Sequence, residues 1–485
     1  MNSQVPRMPQ PFYQSPNQDE TARLPHRLLL VSYHFPPSTS VGGMRWLQMS
    51  RYLAQQGWGL DVIAGDFNKL RARDEGALRS LPPNVRIFSA TEPESPLATV
   101  ERTLVGLLRR VIPRRSGSSE TPPLPRAAAL KRLDSRSLIR AYASLISVDR
   151  ERLWAKRAAR IGIELARGQR YDAIVSSGPI HMAHEAARRV AKAADRPLVI
   201  DFRDPWSGVE RFVEDHASPV WYGLARYYER RAVRAASLAL MNTDRSRDYM
   251  RALYPEVVDR IITVRNGSDD EPVPVAEGLD RFTIRYAGTI YLDRDPQPLL
   301  RAAALVIRRH GLTPSQFGIE MIGHVESFNG KSLKAIAEEE GVAGFVEVGP
   351  LRPRREAMRF LAGATMLVNL PQDSNMCVPA KLFEYVRFNA WLLVLAVEQS
   401  ATADLLRTTN ADVVDPHDVE RIAAVIERRY LQYAGGEKPD AVGKDGSFDR
   451  VRQVEVFLEH LRVVTSGRAR VALPAAVSET AASTQ

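Results

Sequence analysis

The segment DFRDPW, residues 201–206, groups charged side chains directly behind an apolar run. Side chains at the C-terminal end of a parallel strand lie where α/β proteins bind ligands. Arg203 is therefore a candidate for holding a phosphate or carboxylate, and Asp204 for accepting a hydrogen bond or a proton from a hydroxyl. Pro205 and Trp206 add a stiff turn and a flat apolar face, which favour binding over an ion pair that only closes a loop.

The segment PAKLFEYV places Lys381 and Glu384 on one face of an otherwise apolar element. An ionised carboxylate can accept two hydrogen bonds from a vicinal diol such as that of a ribose, each worth about 1.5 to 3 kcal/mol. The alternative is an ion pair on a solvated helix, worth only a few tenths of a kcal/mol. The apolar surroundings favour the ligand role. Because proline suits the first turn of a helix, we expect this helix to begin at Pro379.

Two loops with glycine each follow an apolar run and precede a helical pattern. Gly42 and Gly43 stand in the first loop, and Gly288 and Thr289 in the second, with Arg294 close behind. Glycine lets the backbone approach a ligand, and a helix N-terminus attracts phosphate, so both loops are candidate phosphate sites. A plain tight turn is an equal alternative for the first loop. Neither loop is a GxGxxG motif, and the single DRD triplet around Arg294 does not predict a metal.

His181, in SSGPIHMAH, is the histidine that we expect to contact a substrate. It falls at the end of an element in the first half of the chain, and the HMAH spacing matches no reliable set of metal ligands. The predicted catalytic group is therefore His181, Arg203 and Asp204.

These residues fall at the ends of strands in a repeated strand, loop and helix pattern. The first run comprises RLLLVSY, MRWLQMSRYLAQQG, LDVIAG, YDAIVSSGP, HMAHEAARRVAKAA, PLVIDFRDPW and LALMNTDRS. A second alternation begins near FTIRYAGT and continues through FGIEMIGH, GFVEVGP and ATMLVNL. Repeated βαβ units imply parallel sheets. We predict an α/β protein with two facing Rossmann-like domains and a binding site in the interdomain cleft.

Composition places the domain limits. We expect a disordered tail over residues 1–25, a first domain over 26–270 with a basic insertion at about 99–150, a second domain over 271–445, a helix over 446–465 that crosses back to the first domain, and a disordered tail over 466–485.

The net charge of +10 suggests an acidic partner. The chain has no basic stripe interleaved with aromatic residues and no zinc-finger or RNA-binding signature, so we expect no nucleic-acid partner. The Arg-rich LVGLLRRVIPRR of the insertion predicts either contact with an anionic membrane or a helix packed on the first domain.

No apolar stretch reaches the roughly 18 residues of a membrane span, and the N-terminal segment does not resemble a signal peptide. The single cysteine, Cys377, excludes an internal disulfide. These features predict a cytoplasmic protein, peripheral at the inner face of the membrane if the insertion binds lipid.

Several segments, in order, resemble the glycosyltransferase family 4 type with the GT-B fold. They are HFPPSTSVGGMRWLQMSRYLAQQGW, YDAIVSSGPIHMAHEAA, DFRDPW, IITVRNGSD, YAGTIY and VPAKLFEYV. The likeness runs from Arg27 to about Arg462. It implies a retaining transferase that uses a nucleotide-diphosphate sugar without a metal or other cofactor, with the acceptor on the first domain and the donor on the second.

By this resemblance Glu384 matches the second glutamate of an E-x7-E motif, which holds the nucleotide ribose, and Met376 stands at the position of the first. The expected donor contacts are Gly288, Thr289, Arg294, Lys381, Leu382 and Glu384. The residues expected near the reacting carbon are Gly42, Gly43, His181, Arg203 and Asp204.

We therefore predict a glycosyltransferase with a glycan or lipid-linked acceptor in surface polysaccharide, exopolysaccharide or glycolipid biosynthesis. Two alternatives stay open. One is a nucleotide-sugar epimerase of the same fold. The other, motivated by Met376, is a catalytically silent partner in a polysaccharide assembly complex.

Overall fold

The computed structural model describes residues 9–16, 26–92, 135–208, 219–275, 281–291, 293–372 and 374–466. The LVGLLRRVIPRR segment, most of the predicted insertion and residues 467–485 of the predicted C-terminal tail lie outside these ranges. Across the described residues, no helix combines the length and the apolar character needed to cross a bilayer.

The chain divides into two compact units. The first comprises Met1–Leu240, Tyr254–Ile262 and His460–Gln485, and the second comprises Met241–Leu253 and Thr263–Glu459. The sequence prediction placed one boundary after residue 270 and a return to the first domain in the helix over 446–465. The chain changes unit after 240, 253 and 262 and again after 459.

Eight strands form the sheet of the first unit. They are β1 (Tyr13–Gln14), β2 (His26–Ser32), β3 (Trp58–Ala64), β4 (Val85–Ser89), β5 (Ala173–Ser177), β6 (Leu198–Arg203), β7 (Leu238–Met241) and β8 (Ile261–Thr263). Their order is β1-β4-β3-β2-β5-β6-β7-β8. The pairs β2/β3, β2/β5, β3/β4 and β5/β6 are parallel. Residues 28–31 of β2 are fully buried, as expected for a parallel strand covered on both faces.

The helices of this part of the chain are α1 (Met44–Gln55), α2 (Glu75–Arg79), α3 (Ser135–Gly168), α4 (Met182–Ala194) and α5 (Pro219–Ala235). The first 16 residues of α3 fall inside the predicted irregular insertion, so the prediction was wrong for 135–150. The sequence carries no proline or glycine from Ser135 to Ile161, and nothing there interrupts a helix.

Strand β1 lies inside the predicted disordered tail, 1–25. Its neighbours Phe12 and Ser15 donate backbone N–H groups to the carbonyls of Ile87 and Val85 at 2.7 and 2.9 Å. Ser15 is buried. The prediction of disorder was therefore wrong for residues 9–16, because a two-residue edge strand leaves almost no periodic signal in a sequence.

The second unit contains a parallel sheet of six strands and a separate two-stranded hairpin. The strands are β9 (Phe282–Thr289), β10 (Phe317–His324), β11 (Ser327–Phe328), β12 (Lys331–Ser332), β13 (Val346–Gly349), β14 (Met366–Asn369), β15 (Trp391–Leu395) and β16 (Asp412–Val414). The helices from residue 244 onward are α6 (Asp244–Leu253), α7 (Gln297–His310), α8 (Leu333–Glu339), α9 (Arg354–Ala362), α10 (Leu382–Tyr385), α11 (Ala401–Leu406), α12 (Val419–Ala434) and α13 (Arg450–Thr465). Helix α13 is the helix predicted at 446–465.

The six-stranded sheet has the order β13-β10-β9-β14-β15-β16. Strands β4-β3-β2-β5-β6-β7 of the first sheet repeat that order, which is the doubly wound arrangement. In such sheets ligands bind outside the carboxyl ends of the strands where the direction of winding reverses. That switch point lies between β2 and β5 in the first unit, and between β9 and β14 in the second. The predicted α/β class with two Rossmann-like parallel-sheet domains is confirmed.

Candidate functional site

Arg203 ends strand β6 at the carboxyl edge of the first sheet. Its Nη1 donates to the carbonyl of Gly42 at 2.9 Å and to that of Gly178 at 3.4 Å. Its backbone has a φ of +64°, which is uncommon for a residue other than glycine and concentrates at functional sites. The structure thus brings Arg203 and Gly42, two separately predicted residues, into direct contact. Asp204 follows, with its backbone N–H donating to the Phe202 carbonyl at 2.8 Å.

The glycine pair packs tightly against the loop that follows β2. A methyl group on Gly42 would lie 2.8 Å from Cδ2 of His34, and one on Gly43 would lie 3.1 Å from the His34 carbonyl oxygen. A side chain at either position would therefore crowd the loop that contains His34. Burial, with a smaller contribution from Arg203, lowers the pKa of His34 to about 4. The phosphate role of this loop stays a prediction.

Asp201 is a buried acceptor that ties helix α1 to the sheet edge. Its Oδ2 accepts hydrogen bonds from Arg45 Nε at 3.0 Å, Trp46 Nε1 at 2.7 Å and Ser177 Oγ at 3.1 Å. The side chains of Asp201 and Arg45 are 0% and 2% exposed. Sequence reasoning missed Arg45 and Trp46, although both stand in the first turn after the glycine pair. Asp201 therefore has a supporting role, because it fixes the strand end from which Arg203 extends.

His181 is the outer member of a chain of buried polar groups. Its Nδ1 lies 3.2 Å from His184 Nε2, and His184 Nδ1 lies 2.9 Å from Ser176 Oγ. Burial lowers the pKa of His181 to about 4, with opposing contributions from Asp204 and Arg203. Burial also lowers the pKa of His184 well below its ordinary value. Both rings are therefore neutral near pH 7.

The neutral chain has two proton arrangements, and one leaves a buried donor unmatched. If His181 donates to His184, then His184 donates to Ser176, whose hydroxyl hydrogen has no further acceptor among the described residues. An unmatched buried donor costs about 1 to 3 kcal/mol. In the opposite order Ser176 donates to His184 and His184 donates to His181, so the unmatched proton lies on the half-buried His181, where solvent or a ligand can reach it, and not on the fully buried Ser176. We therefore assign this order. The remaining proton of His181 then lies on Nε2, and the ring acts as a hydrogen-bond donor.

The lowered pKa of His181 predicts a pH dependence of stability. The folded-state pKa of His181 lies below the ordinary value of 6.5. The unfolded chain therefore binds more protons than the folded chain between about pH 6.5 and pH 4. Stability is complete above pH 6.5 and falls as the pH drops toward 4. We expect the urea midpoint to decrease over this range, with a shallower decrease in His181→Gln. Equal slopes in both proteins would contradict the lowered pKa of His181.

In the second unit, Lys381 lies over the glycine at the end of β9. Its Nζ donates to the Tyr286 hydroxyl at 2.7 Å, and that hydroxyl donates to the Thr289 carbonyl at 2.9 Å. A methyl group on Gly288 would lie 2.0 Å from Lys381 Nζ. Glycine is thus required at this position, where φ is +151°. The structure brings Gly288, Thr289 and Lys381 together, and Tyr286 was missed.

Gly323, also missed, is the partner of Gly288 on strand β10. Its φ is +121°, and a methyl group there would lie 2.0 Å from the Gly288 carbonyl oxygen. Two neighbouring strands therefore end in glycines that face each other at the carboxyl edge. The sequence signal was the glycine next to the last residue of FGIEMIGH, the strand that follows Gly288 in the chain.

Glu384 lies on the single turn of α10, which begins at Leu382 and not at Pro379 as predicted. Its Oε1 accepts a hydrogen bond from Arg354 Nη2 at 3.3 Å, while Arg354 Nη1 donates to Glu271 at 2.6 Å. Burial raises the pKa of Glu384, and Arg354 acts in the opposite direction. The carboxyl group is still 37% exposed, so a ligand can reach it. Arg354 was not predicted.

The remaining predicted residues of this unit have different surroundings. The Leu382 side chain is fully buried in a hydrophobic cluster, so only its backbone can face a ligand. Arg294 is 6% exposed and its Cζ lies 4.4 Å from the centre of the Tyr291 ring. The Met376 carbonyl accepts hydrogen bonds from Thr243 Oγ1 at 2.6 Å and from Ser246 Oγ at 3.0 Å. Hydroxyl groups thus anchor the backbone at Met376, the position that corresponds by resemblance to the first glutamate of the E-x7-E motif.

The histidine, cysteine and carboxylate side chains of the described ranges form no group of three or more that is placed to hold a metal ion.

Solved structures share this architecture at low sequence identity. The S. aureus TarM mutant in complex with fondaparinux, alpha-GlcNAc-glycerol and UDP is 9% identical, with a TM-score of 0.56 over 90% of this chain and 99% of its own. The lipopolysaccharide outer core galactosyltransferase WaaB, in its apo form, is 10% identical, with a TM-score of 0.54 over 90% and 99%. Anabaena Alr3699/HepE in complex with UDP-glucose is 13% identical, with a TM-score of 0.50 over 90% and 99%.

No family model matches the chain, and no curated protein matches its sequence significantly. The likeness to these structures is therefore one of fold, and the shared fold consists of two parallel-sheet domains. The chain has the fold of the GT-B glycosyltransferases.

Proposed function

We propose that this protein is a glycosyltransferase that moves a sugar from a nucleotide-diphosphate sugar to an acceptor hydroxyl. The observation that carries the proposal is the Lys381 ammonium group, which lies over Gly288 at the switch point of the second sheet. Glycine lets a ligand approach the backbone closely, and a backbone of this kind next to a cation suits a diphosphate. TarM was determined with UDP and HepE with UDP-glucose, which supports the same ligand class.

The second unit supplies the donor site in this proposal. Lys381 binds the diphosphate, and the half-exposed carboxylate of Glu384 accepts hydrogen bonds from the ribose diol. Arg354 holds the Glu384 carboxylate in its ionised form, in which it accepts most strongly. As the bond between the sugar and the diphosphate breaks, negative charge grows on the leaving group, and Lys381 stabilises that charge. No covalent nucleophile from the protein is required.

The first unit supplies the acceptor site in this proposal. The Nε2–H group of His181 donates a hydrogen bond to a sugar or phosphate oxygen, and Arg203 with Asp204 orients the reactants. The acceptor is either a glycan or a lipid-linked molecule of surface polysaccharide, exopolysaccharide or glycolipid assembly. Transfer proceeds with retention of configuration and without a metal. The protein acts on the cytoplasmic side, in peripheral contact with anionic lipid.

Binding of nucleotide sugars tests the donor site directly. UDP, GDP and ADP sugars are titrated against the wild type, Glu384→Gln and the exposed control Glu338→Gln, with melting temperature and calorimetry as readouts. We expect one class of nucleotide sugar to raise the melting temperature. We also expect Glu384→Gln to weaken its binding at least about tenfold, because one charged hydrogen bond is lost.

Two outcomes contradict the proposal. If no nucleotide sugar stabilises the wild type, the transferase function fails. If Glu384→Gln binds as tightly as Glu338→Gln, the ribose role of Glu384 fails.

A further inference from the structure

The first unit contains a cavity of about 130 Å³ beside the His181 loop. That volume is well above the space needed by one water, and smaller than the roughly 300 Å³ at which pockets for drug-sized ligands begin. Helices α3 and α5 form two of its walls, and the loop between β5 and α4 forms a third. The cavity therefore lies next to the carboxyl edge where Arg203 and His181 are placed.

Aromatic rings line much of the cavity. Trp206 stacks on His181 with ring centres 5.2 Å apart, and on Tyr228 with ring centres 6.1 Å apart. Trp206 and Tyr228 are 5% and 9% exposed, so the stack forms a rigid floor. Trp221, on the first turn of α5, also lines the cavity and is only partly buried. The walls thus offer flat apolar surfaces of the size of one ring.

Glu151, on helix α3, is the one acidic side chain among the residues that line this cavity. No described residue donates a hydrogen bond or forms an ion pair with its carboxyl group. Burial, reinforced by the negative charge of Glu92, raises the pKa of Glu151 to about 7. The Glu92 carboxylate accepts hydrogen bonds from the Tyr33 hydroxyl and from Lys69 Nζ. A half-buried carboxyl group that has no partner among the described residues, in an aromatic cavity, calls for a ligand that supplies hydrogen bonds.

We propose that this cavity binds one sugar ring of the acceptor, with ring hydroxyls hydrogen-bonded to Glu151 and carbon-hydrogen faces against Trp221 and Tyr228. This inference rests on the proposed function. A glycosyltransferase needs an acceptor, and the bound sugar ring is assigned to that acceptor and not to a regulator. It narrows the acceptor to a molecule whose receiving end is a saccharide.

Two other ligand classes fit the cavity less well. An alkyl chain would suit the aromatic walls but would leave the Glu151 carboxyl group without a hydrogen-bond donor. A quaternary ammonium group would suit the aromatic rings, but it has no N–H or O–H group to donate to the Glu151 carboxyl oxygens. With a pKa of about 7, Glu151 is only partly ionised at neutral pH and can both donate to and accept from a hydroxyl.

Saturation-transfer NMR with simple glycosides tests the proposal. Methyl glucopyranoside, galactopyranoside and mannopyranoside are added to the full chain in the presence of excess UDP, which occupies the donor site. The variants are Glu151→Gln and Trp221→Leu. Glu164→Gln is the matched control, since it lies on the same helix about 20 Å farther along. Melting temperatures with UDP-sugars are measured on every protein.

We expect at least one methyl glycoside to receive saturation in the wild type and in Glu164→Gln. The signal should fall at least threefold in Glu151→Gln and Trp221→Leu, while stabilisation by UDP-sugars stays unchanged. Equal glycoside signals in all four proteins would overturn the assignment. So would displacement of the glycosides by choline or by a short alkyl alcohol at equal concentration.

The donor measurements separate the two proposals. If UDP-sugars stabilise the protein and no glycoside binds, the sugar cavity is refuted and the transferase function survives. If glycosides bind in the predicted way and no nucleotide sugar does, the cavity is a saccharide site and the transferase function is refuted.

Discussion

Replacing Lys381 by methionine is expected to weaken nucleotide-sugar binding by about 10- to 100-fold. The methionine retains the apolar stem but removes the ammonium group that lies over Gly288 and donates to Tyr286. A charged hydrogen bond is worth about 1.5 to 3 kcal/mol, and each 1.4 kcal/mol changes a dissociation constant tenfold. Isothermal titration calorimetry with the nucleotide sugar that stabilises the wild type measures the loss.

Two further variants test whether the position of the ammonium group matters. Tyr286→Phe retains the Lys381 charge but removes the hydroxyl that orients the ammonium group, so we expect a smaller loss of about fivefold. Lys334→Met removes an exposed lysine of the same unit and should leave binding unchanged. If Lys381→Met binds as tightly as Lys334→Met, Lys381 is not a diphosphate ligand.

Replacing Asp201 by alanine is expected to destabilise the first unit by about 3 to 5 kcal/mol. Asp201 and Arg45 are both buried, and removing one partner leaves the charge of the other without compensation. Trp46 and Ser177 lose the same acceptor. Five of the six tryptophans lie in the first unit, so fluorescence during urea unfolding reports mainly on that unit.

A surface pair in the same unit is the control for Asp201→Ala. Glu256 accepts from Arg234 at 2.7 Å, and both side chains are more than 40% exposed. Solvent screens such a pair, so Glu256→Gln should leave the urea midpoint unchanged. A destabilisation by Asp201→Ala no greater than that of Glu256→Gln would show that the network of Asp201 is not a structural support.

The regular elements were largely predictable, because their periodicity is strong. Continuous apolar runs such as residues 28–31 belong to strands that are buried on both faces, and α4 shows the helical spacing of HMAHEAARRVAKAA. The errors fell where the local signal is weak. Strand β1 is too short to show a period, and α3 begins soon after the proline-rich stretch TPPLPR, inside the range that was assigned to the insertion.

The candidate site was predictable in part. Gly42, His181, Arg203, Gly288 and Lys381 stood out because glycines and charged groups at strand ends are unusual in apolar surroundings. Their supporting residues did not stand out. Tyr286, Arg354 and Trp46 look like ordinary core or surface residues in a sequence, and only the structure shows that they contact Lys381, Glu384 and Asp201.

The sequence by itself determined the alternation of strands and helices, and with it the two parallel sheets and the strand ends at which doubly wound folds bind ligands. Only the tertiary structure decided which side chains meet there. Arg203 reaches Gly42 across 161 positions, and Asp201 reaches Arg45 across 156. Periodicity reports which face of an element is buried, but it carries no information about distant residues that face the same point. Those contacts depend on strand order and register, which form when the whole sheet assembles.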